Sequence, residues 1–472
     1  MKRLWTLGIL LVAFVFIVSA CSSGKSTGVK PLDKEEKAVV RVMFYDEQQF
    51  YTQYGNLFAS KFPNVEIQVV SMESVNGMAV TDREKAFKDL IEKEKPDVMM
   101  LDTKQYEDLA ADNKLLDLGS LIEDEEFLGA EILPAVVDVL KEKGGGKLYG
   151  LTPSFYSQAL FYNKDLFDKH QIELPTDKMT WEQVLNLAKR FPTTGDKDDR
   201  IYGFSMMYGN AHAIGDMVGS TEGLTFISQD GKKVSYNTEG WKKAYQMAID
   251  AWKADVIYTP SEESMASNSY EDYLKRDLFT MGRAAMTLNG SYIIDQMKGA
   301  KDNLKDYKPF KLGVVTVPID PSNPDVSTTF GVYNIFSVNA QSPNLSAALE
   351  LVKYINGDET AKLQSRSQRY GDLSTRTKYI KAVDGVSLEP FFSLKPKVDV
   401  LERYSNIPTS FYQPFQELLN AEITKVIDDK QSLDEALKNI DEKGQQELDK
   451  ASLADKAEKE KEKTEETSDT TE

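Results

Sequence analysis

Between residues 39 and 101, short β-rich runs alternate with helix-length segments, and this alternation restricts the architecture more than any other feature of the chain. Residues 39–44 and 65–70 are rich in valine and isoleucine, and Pro96 and Asp97 lead into the continuous apolar run Val98–Leu101. Helical stretches at 48–61 and 86–94 separate them. Strand, helix, strand, helix, strand predicts a mainly parallel sheet covered by helices. Ligands in such sheets bind beyond the carboxyl ends of the strands. Those ends carry Tyr45, Asp46 and Glu47 after the first run, and Asp102, Thr103 and Tyr106 after the third.

Further along, two helices announce their starts. Thr180 with Gln183, and Ser432 with Glu435, have capping-box spacing. Trp181, Val184, Leu185 and Ala188, then Leu433, Ala436, Leu437 and Ile440, recur at helical spacing. Such stripes are packing faces. The 472 residues divide into a signal (1–20), a tether (21–37), a folding body and an acidic tail (453–472). The body is large enough for two or more domains.

The ends are of another kind. Lys2 and Arg3 precede an apolar run over 4–20 that closes on Val18, Ser19 and Ala20. A basic start, an apolar stretch and small residues before a cut describe a secretory signal. The single cysteine, Cys21, follows at once, and the whole resembles the lipobox of bacterial lipoproteins. That resemblance implies cleavage before Cys21, a diacylglycerol on its thiol and a tethered chain. The competing reading is an uncleaved membrane helix at the short limit for spanning, which needs about 17–25 residues. At the other end, the Lys/Glu-rich and then Thr/Ser/Asp-rich residues after Leu453 contain no apolar residue larger than alanine. This predicts weak helix near Glu458 and disorder after Thr464.

Several activities are disfavoured. A formal net charge of −18 argues against a nucleic-acid partner. Two histidines, His170 and His212, cannot form an HExxH site. Gly24 to Gly28 spells GxSxG, but in the polar tether, without the strand and helix a nucleophile elbow needs. Gly144, Gly145 and Gly146 have no phosphate-loop context, and Asp196, Asp198 and Asp199 lack the glycine and later glutamate of a calcium loop. No segment singles out the carboxylate pair of a glycosidase. No cofactor is expected.

A set of short motifs in fixed order carries a family resemblance. They are Pro96-Asp97-Val98; Leu148 to Pro153 followed by Leu160 to Asp165; Phe279-Thr280-Met281-Gly282-Arg283-Ala284-Ala285-Met286 with Leu288 to Tyr292; residues 312–318; and Asn406-Ile407-Pro408 with Phe411 and Tyr412. From about Ala38 to Lys450 the chain resembles the sugar-type extracellular solute-binding proteins of ABC importers. The resemblance implies an α/β, two-lobe periplasmic-binding-protein-like fold with hinge crossovers and a ligand cleft between lobes. It places crossovers near Leu151 to Pro153, near residues 306–313 and near Asn356-Gly357. The first lobe would then comprise 38–152 and 309–356, and the second 153–308 and 357–452.

A sugar cleft needs aromatic faces for pyranose rings and polar groups for hydroxyls. By position, the resemblance nominates Tyr45, Asp46, Glu47, Asp102, Tyr106, Phe155, Tyr156, Tyr208, Asn289, Ser291, Tyr292 and Tyr412. Gly331, Tyr333, Gly371 and Asp372 are weaker nominees. The implied protein is a monomeric, lipid-anchored binder on the outer face of a cell membrane, in a Gram-positive type of envelope. It would capture a mono- or oligosaccharide, or another small solute, and deliver it to separate permease subunits. A membrane-anchored sensor of the same fold and an envelope enzyme acting on polysaccharide remain the alternatives.

Overall fold

The computed structural model describes residues 29–469, apart from 34, 36, 79, 120–131, 197–198, 267–268, 367–370, 384 and 398–406. The signal, Cys21, the GxSxG-like segment and Asn406 lie outside the described residues.

The chain begins with β1 (Ala38–Phe44), a helical stretch from Glu47 to Lys61, β2 (Val65–Ser71), the helix Val80–Glu94 and β3 (Val98–Leu101). β1 pairs in parallel with both β2 and β3. All four residues of β3 are buried, because helices cover both faces of a central parallel strand. Asp97, at its entrance, is also buried, and accepts from the Arg41 amide at 2.8 Å and the Ser342 hydroxyl at 2.5 Å. The aspartate of the Pro96-Asp97-Val98 motif is therefore a brace between strands. After the helices Thr103–Ala111 and Pro134–Lys143, β4 (Gly150–Leu151) reaches the far edge of this sheet.

The chain then leaves the sheet. β5 (Ser154–Tyr156) crosses to β6 (Gln158–Asn163), which opens a second sheet completed by β7 (Tyr202–Ser205), β8 (Ile257–Tyr258), β9 (Ala284–Gly290) and β10 (Leu312–Val315), in the order β10-β6-β9-β7-β8. The return runs through β11 (Val326–Ser327) and β12 (Gly331–Val332) to β13 (Ile335–Val338), which enters the first sheet between β3 and β4. A third passage, β14 (Leu373–Ser374), leads through β15 (Lys395–Pro396) to the helices Thr409–Ile427 and Leu433–Asp469 of the second lobe.

Two expected boundaries move. Residues 312–315, placed by the motifs in the first lobe, pair antiparallel with β6, Leu312 opposite Asn163, so the second crossover follows Val315. The helix Asp358–Gln364, assigned to the second lobe, is held to the first. The Thr360 hydroxyl donates to the Tyr354 carbonyl at 2.5 Å, and Lys61 pairs with Glu359 at 2.6 Å. The third crossover therefore follows Gln364. Short apolar runs look alike in either sheet, and only pairing partners decide their lobe. The acidic tail also differs from expectation: the last helix continues to Asp469. Its Ala, Glu and Lys residues are strong helix formers, and no glycine or proline follows Gly444 to end it.

The second lobe packs around Trp181, Tyr236, Trp241, Tyr245, Phe411 and Phe415, all buried. Trp181 follows its expected capping box, whose Thr180 side chain accepts from the Gln183 amide. Where the two final helices meet, Glu422 is buried, accepting from Lys425 at 2.8 Å, Gln431 at 2.9 Å, Asn439 at 3.0 Å and Lys443 at 3.0 Å. Burial by itself would raise the Glu422 pKa, but these four donors outweigh it and hold the group at about 2, against a usual 4.5. A depressed folded-state pKa contributes stability that is present above 4.5 and is lost as pH falls toward about 2. Glu422→Gln should therefore destabilise the chain at pH 7 by about 2 kcal/mol, the scale of a hydrogen bond to a charged group. The difference from wild type should shrink to near zero at the acid end. Denaturant unfolding along a pH series measures both.

Candidate functional site

The two sheets are joined by a third. β5 lies between β12 and β14, with Gly331 opposite Tyr156 and Leu373 opposite Phe155, so all three crossings share one antiparallel ladder. The Thr375 amide donates to the Pro153 carbonyl at 3.0 Å, and the Thr152 hydroxyl donates to the Tyr333 carbonyl at 2.8 Å. On the buried side of this ladder Phe155 stacks on Phe330 at 5.0 Å, and Phe391 meets Phe161 at 5.7 Å. Phe155 is fully buried, so this nominee supports the hinge from beneath and does not line the cleft.

The open side is lined by tyrosines. At the end of β1, the half-exposed Tyr45 donates to Asn334 Oδ1 at 2.8 Å. Asn334 directly follows the second crossing and sits at φ 53°, a left-handed conformation that asparagine tolerates better than other side-chain-bearing residues. Beside it, Tyr333 donates a short hydrogen bond to Asp372 from the third crossing. Burial, then the bond to Asp372 and its charge, push the Tyr333 hydroxyl far up, and the hydroxyls of Tyr45 and Tyr156 add to this. Burial, then the neighbouring Tyr156 and Tyr273 hydroxyls, Asp277 and Tyr208 raise Tyr292 to about 12. Tyr45, Tyr333, Tyr156, Tyr292, Tyr273 and Tyr208 thus form a row of phenols running from the first lobe, over the hinge, into the second.

Backbone economy lets the row close up. A Cβ on Gly290 would lie 2.9 Å from the Tyr292 ring and 3.2 Å from Tyr156, so only glycine allows these two rings to converge at the end of β9. Two cavities adjoin the row. One of about 320 Å³ lies at the hinge beside Tyr156 and Gln158, and one of about 420 Å³ surrounds Tyr208, Pro260 and Met265.

The nominated residues separate accordingly. Tyr45, Tyr156, Tyr208 and Tyr292 belong to the row. Asp46 and Asp102 stand at the rim as helix N-caps, accepting from the Gln49 and Gln105 amides at 2.8 Å each. Glu47 is exposed in the first turn after Asp46. Asn289 and Ser291 are mostly buried, and Asn289 Oδ1 accepts from the Gly290 amide at 3.1 Å.

Tyr106 requires correction. It is fully buried in the first lobe, where its hydroxyl donates to the Leu140 carbonyl and accepts from the Tyr149 amide, each at 3.0 Å. One helical turn beyond Asp102 points it inward. Tyr412 follows Phe411 in the second lobe. Its ring packs on the second core beside Phe411 at 6.0 Å, and burial raises its hydroxyl. Sequence reasoning missed Asn334 and Tyr273. A lone asparagine between two strands was the available signal for the first, and nothing local marked the second. Among the described residues no His, Cys, Asp and Glu cluster could hold a metal ion, and no helix is long and apolar enough to cross a membrane.

Comparison with known proteins agrees with this geometry. Residues 45–362 match the bacterial extracellular solute-binding protein family. The chain belongs to that family. A binding protein of Brucella abortus is 24% identical over 239 residues, 48% of this chain and 50% of that one, so the chain aligns with about half the length of this relative. The galactooligosaccharide-binding protein of Bacillus subtilis is 24% identical over 304 residues, 61% of this chain and 64% of that one. Among solved structures, the ABC substrate-binding protein of Listeria monocytogenes in complex with cycloalternan superposes with a TM-score of 0.53 at 20% identity, covering 87% of this chain and 99% of that one. The shared two-lobe fold is what that similarity establishes. The family is one of binding proteins, not enzymes.

Because Tyr106 serves the core, Tyr106→Phe should lower stability by about 1–2 kcal/mol through the unpaired Tyr149 amide and leave ligand affinity unchanged. Thermal unfolding and titration calorimetry of the same variant check the two halves.

Proposed function

We propose that this chain is a lipid-anchored receptor that captures a carbohydrate between its lobes and hands it to the permease of an ABC importer. The observation that carries the reading is the tyrosine row across the hinge, flanked by Asn334 and Asp372. Phenol faces suit the apolar faces of sugar rings, and the amide and carboxylate suit their hydroxyls. Tyr45, Tyr208 and Tyr292 are among the few large apolar side chains left exposed in the described chain, which is the expectation for a surface reserved for a ligand. The named ligands of the Bacillus and Listeria relatives, a galactooligosaccharide and cycloalternan, support the same class.

With the three crossings in one ladder, closure is a rotation of one lobe against the other, absorbed by a few backbone angles at the strand ends. A closed receptor with its ligand enclosed presents a different surface from the open one. That difference is what lets a permease distinguish loaded from empty receptor. The address rests on Cys21, where the signal resembles a lipobox. Anchoring would keep the receptor beside the permease.

Titration calorimetry against neutral and acidic mono- and oligosaccharides, with peptides and amino acids as comparison, tests the ligand class. A sugar should bind, and Tyr156→Ala or Tyr292→Ala should each weaken it by about tenfold, the scale of one lost aromatic contact. Binding of a peptide and of no sugar defeats the reading. Cys21→Ala should abolish incorporation of labelled fatty acid and release the chain from the membrane fraction; retained label would refute the anchor.

A further inference from the structure

Several hydroxyls of the row have already given their protons to the protein. A phenol carries one proton and two lone pairs, so a proton spent on an internal partner leaves the oxygen as an acceptor only. Tyr333 donates to Asp372. A carboxylate accepts and does not donate, which fixes the direction of that bond. Tyr45 donates to Asn334 Oδ1 at 2.8 Å.

Tyr273 is held in the same sense from inside the second lobe. It stands half-buried on the helix Tyr270–Arg276, and its hydroxyl donates to Gln296 Oε1 at 3.0 Å. Gln296, on the helix Ile293–Asn303, is buried, as are Asp277 and Thr280 beside it. By shape alone a glutamine amide fits either way round, and its neighbours choose. Gln296 Nε2 donates to Asp277 Oδ2 at 2.6 Å and to Thr280 Oγ1 at 3.2 Å. The Thr280 hydroxyl also donates to Asp277 Oδ2, at 2.9 Å, while the Phe279 and Thr280 amides donate to Asp277 Oδ1 at 3.0 and 3.3 Å. Reversing the Gln296 amide would set oxygen against the carboxylate and leave buried groups unpaired, which is costly. Asp277 therefore turns Gln296 so that its oxygen meets Tyr273, whose hydroxyl lies near those of Tyr292 and Tyr208.

Resting on the carbohydrate reading of the cleft, we infer that the ligand's hydroxyls act as donors to the row, with Tyr273 and Tyr333 as their acceptors. Gln296 and Asp277 are positioning residues for Tyr273, and Asp372 for Tyr333. The cleft thus reads the protons of its ligand. A sugar hydroxyl bound this way loses its bond when replaced by hydrogen. It loses it equally when replaced by fluorine, which has lone pairs and no proton. A cleft built of donors would keep part of the bond to fluorine.

Calorimetry of the full chain in mild detergent, with galactobiose, cellobiose and maltose and their monodeoxy and monodeoxyfluoro derivatives, tests this. For a disaccharide that binds, at least one hydroxyl position should show the deoxy and the fluoro derivatives equally weakened, by about tenfold, the scale of one hydrogen bond. Gln296→Met frees the Tyr273 proton, and Asp372→Ala frees that of Tyr333. In one or both variants the fluoro derivative should gain about fivefold over the deoxy one at such a position, as expected for a weak new hydrogen bond. A merely structural role would weaken both derivatives alike and leave their ratio unmoved. Asp372 is exposed, so its variant stays informative if Gln296→Met fails to fold. Fluorine binding better than hydrogen at every position, or a ratio unmoved in every folded variant, overturns the inference and leaves the carbohydrate reading standing. If no sugar binds, both fall.

Discussion

The three-strand ladder of β5, β12 and β14 is the constraint on which the rest of the molecule depends. Three separate passages of backbone must run between two lobes, and each carries amide and carbonyl groups that cannot stay unpaired under cover. Pairing the passages with one another satisfies those groups in a single narrow seam. Phe155 on Phe330 seals the seam from below, and Thr152 and Thr375 tie the passages together. The open side of the same seam is left free for Tyr156, Tyr333 and Asn334. Structural support and the open tyrosine surface are therefore the two faces of one small sheet, and strand alternation assigns Phe155 to one and Tyr156 to the other.

The ends of the larger sheets converge on that seam for an equally physical reason. β1 and β3 run parallel, as do β7 and β9, and each group turns its carboxyl ends toward the hinge. Loops at those ends are where side chains gather without disturbing a core. Tyr45 after β1, Tyr208 after β7 and Tyr292 after β9 arrive there from different parts of the sequence. Burial keeps the raised phenols among them, Tyr45, Tyr333, Tyr156, Tyr292 and Tyr273, neutral, so they act as flat apolar faces with a hydroxyl handle.

Much of this was legible from residues alone. Alternation over 39–101 predicts the parallel strands, the capping boxes at Thr180 and Ser432 predict their helices, and the ordered motifs point to two lobes. Asp102 and Tyr106 show where such reading stops. Both follow β3, four residues apart, yet one caps a helix at the cleft rim and the other is sealed in the core with its hydroxyl bonded to backbone. The strand Leu312–Val315 makes the same point for lobes, since its local pattern suits either sheet.

By itself, then, the sequence determined the strand–helix alternation and the order of the family's segments. These are properties of neighbours along the chain: periodicity, capping and composition. Only the tertiary structure decided which tyrosines share a row and where the crossings fall. Tyr45, Tyr156, Tyr292 and Tyr333 are far apart in sequence. Their association comes from strand pairing and hinge geometry, which are long-range interactions that no local pattern encodes.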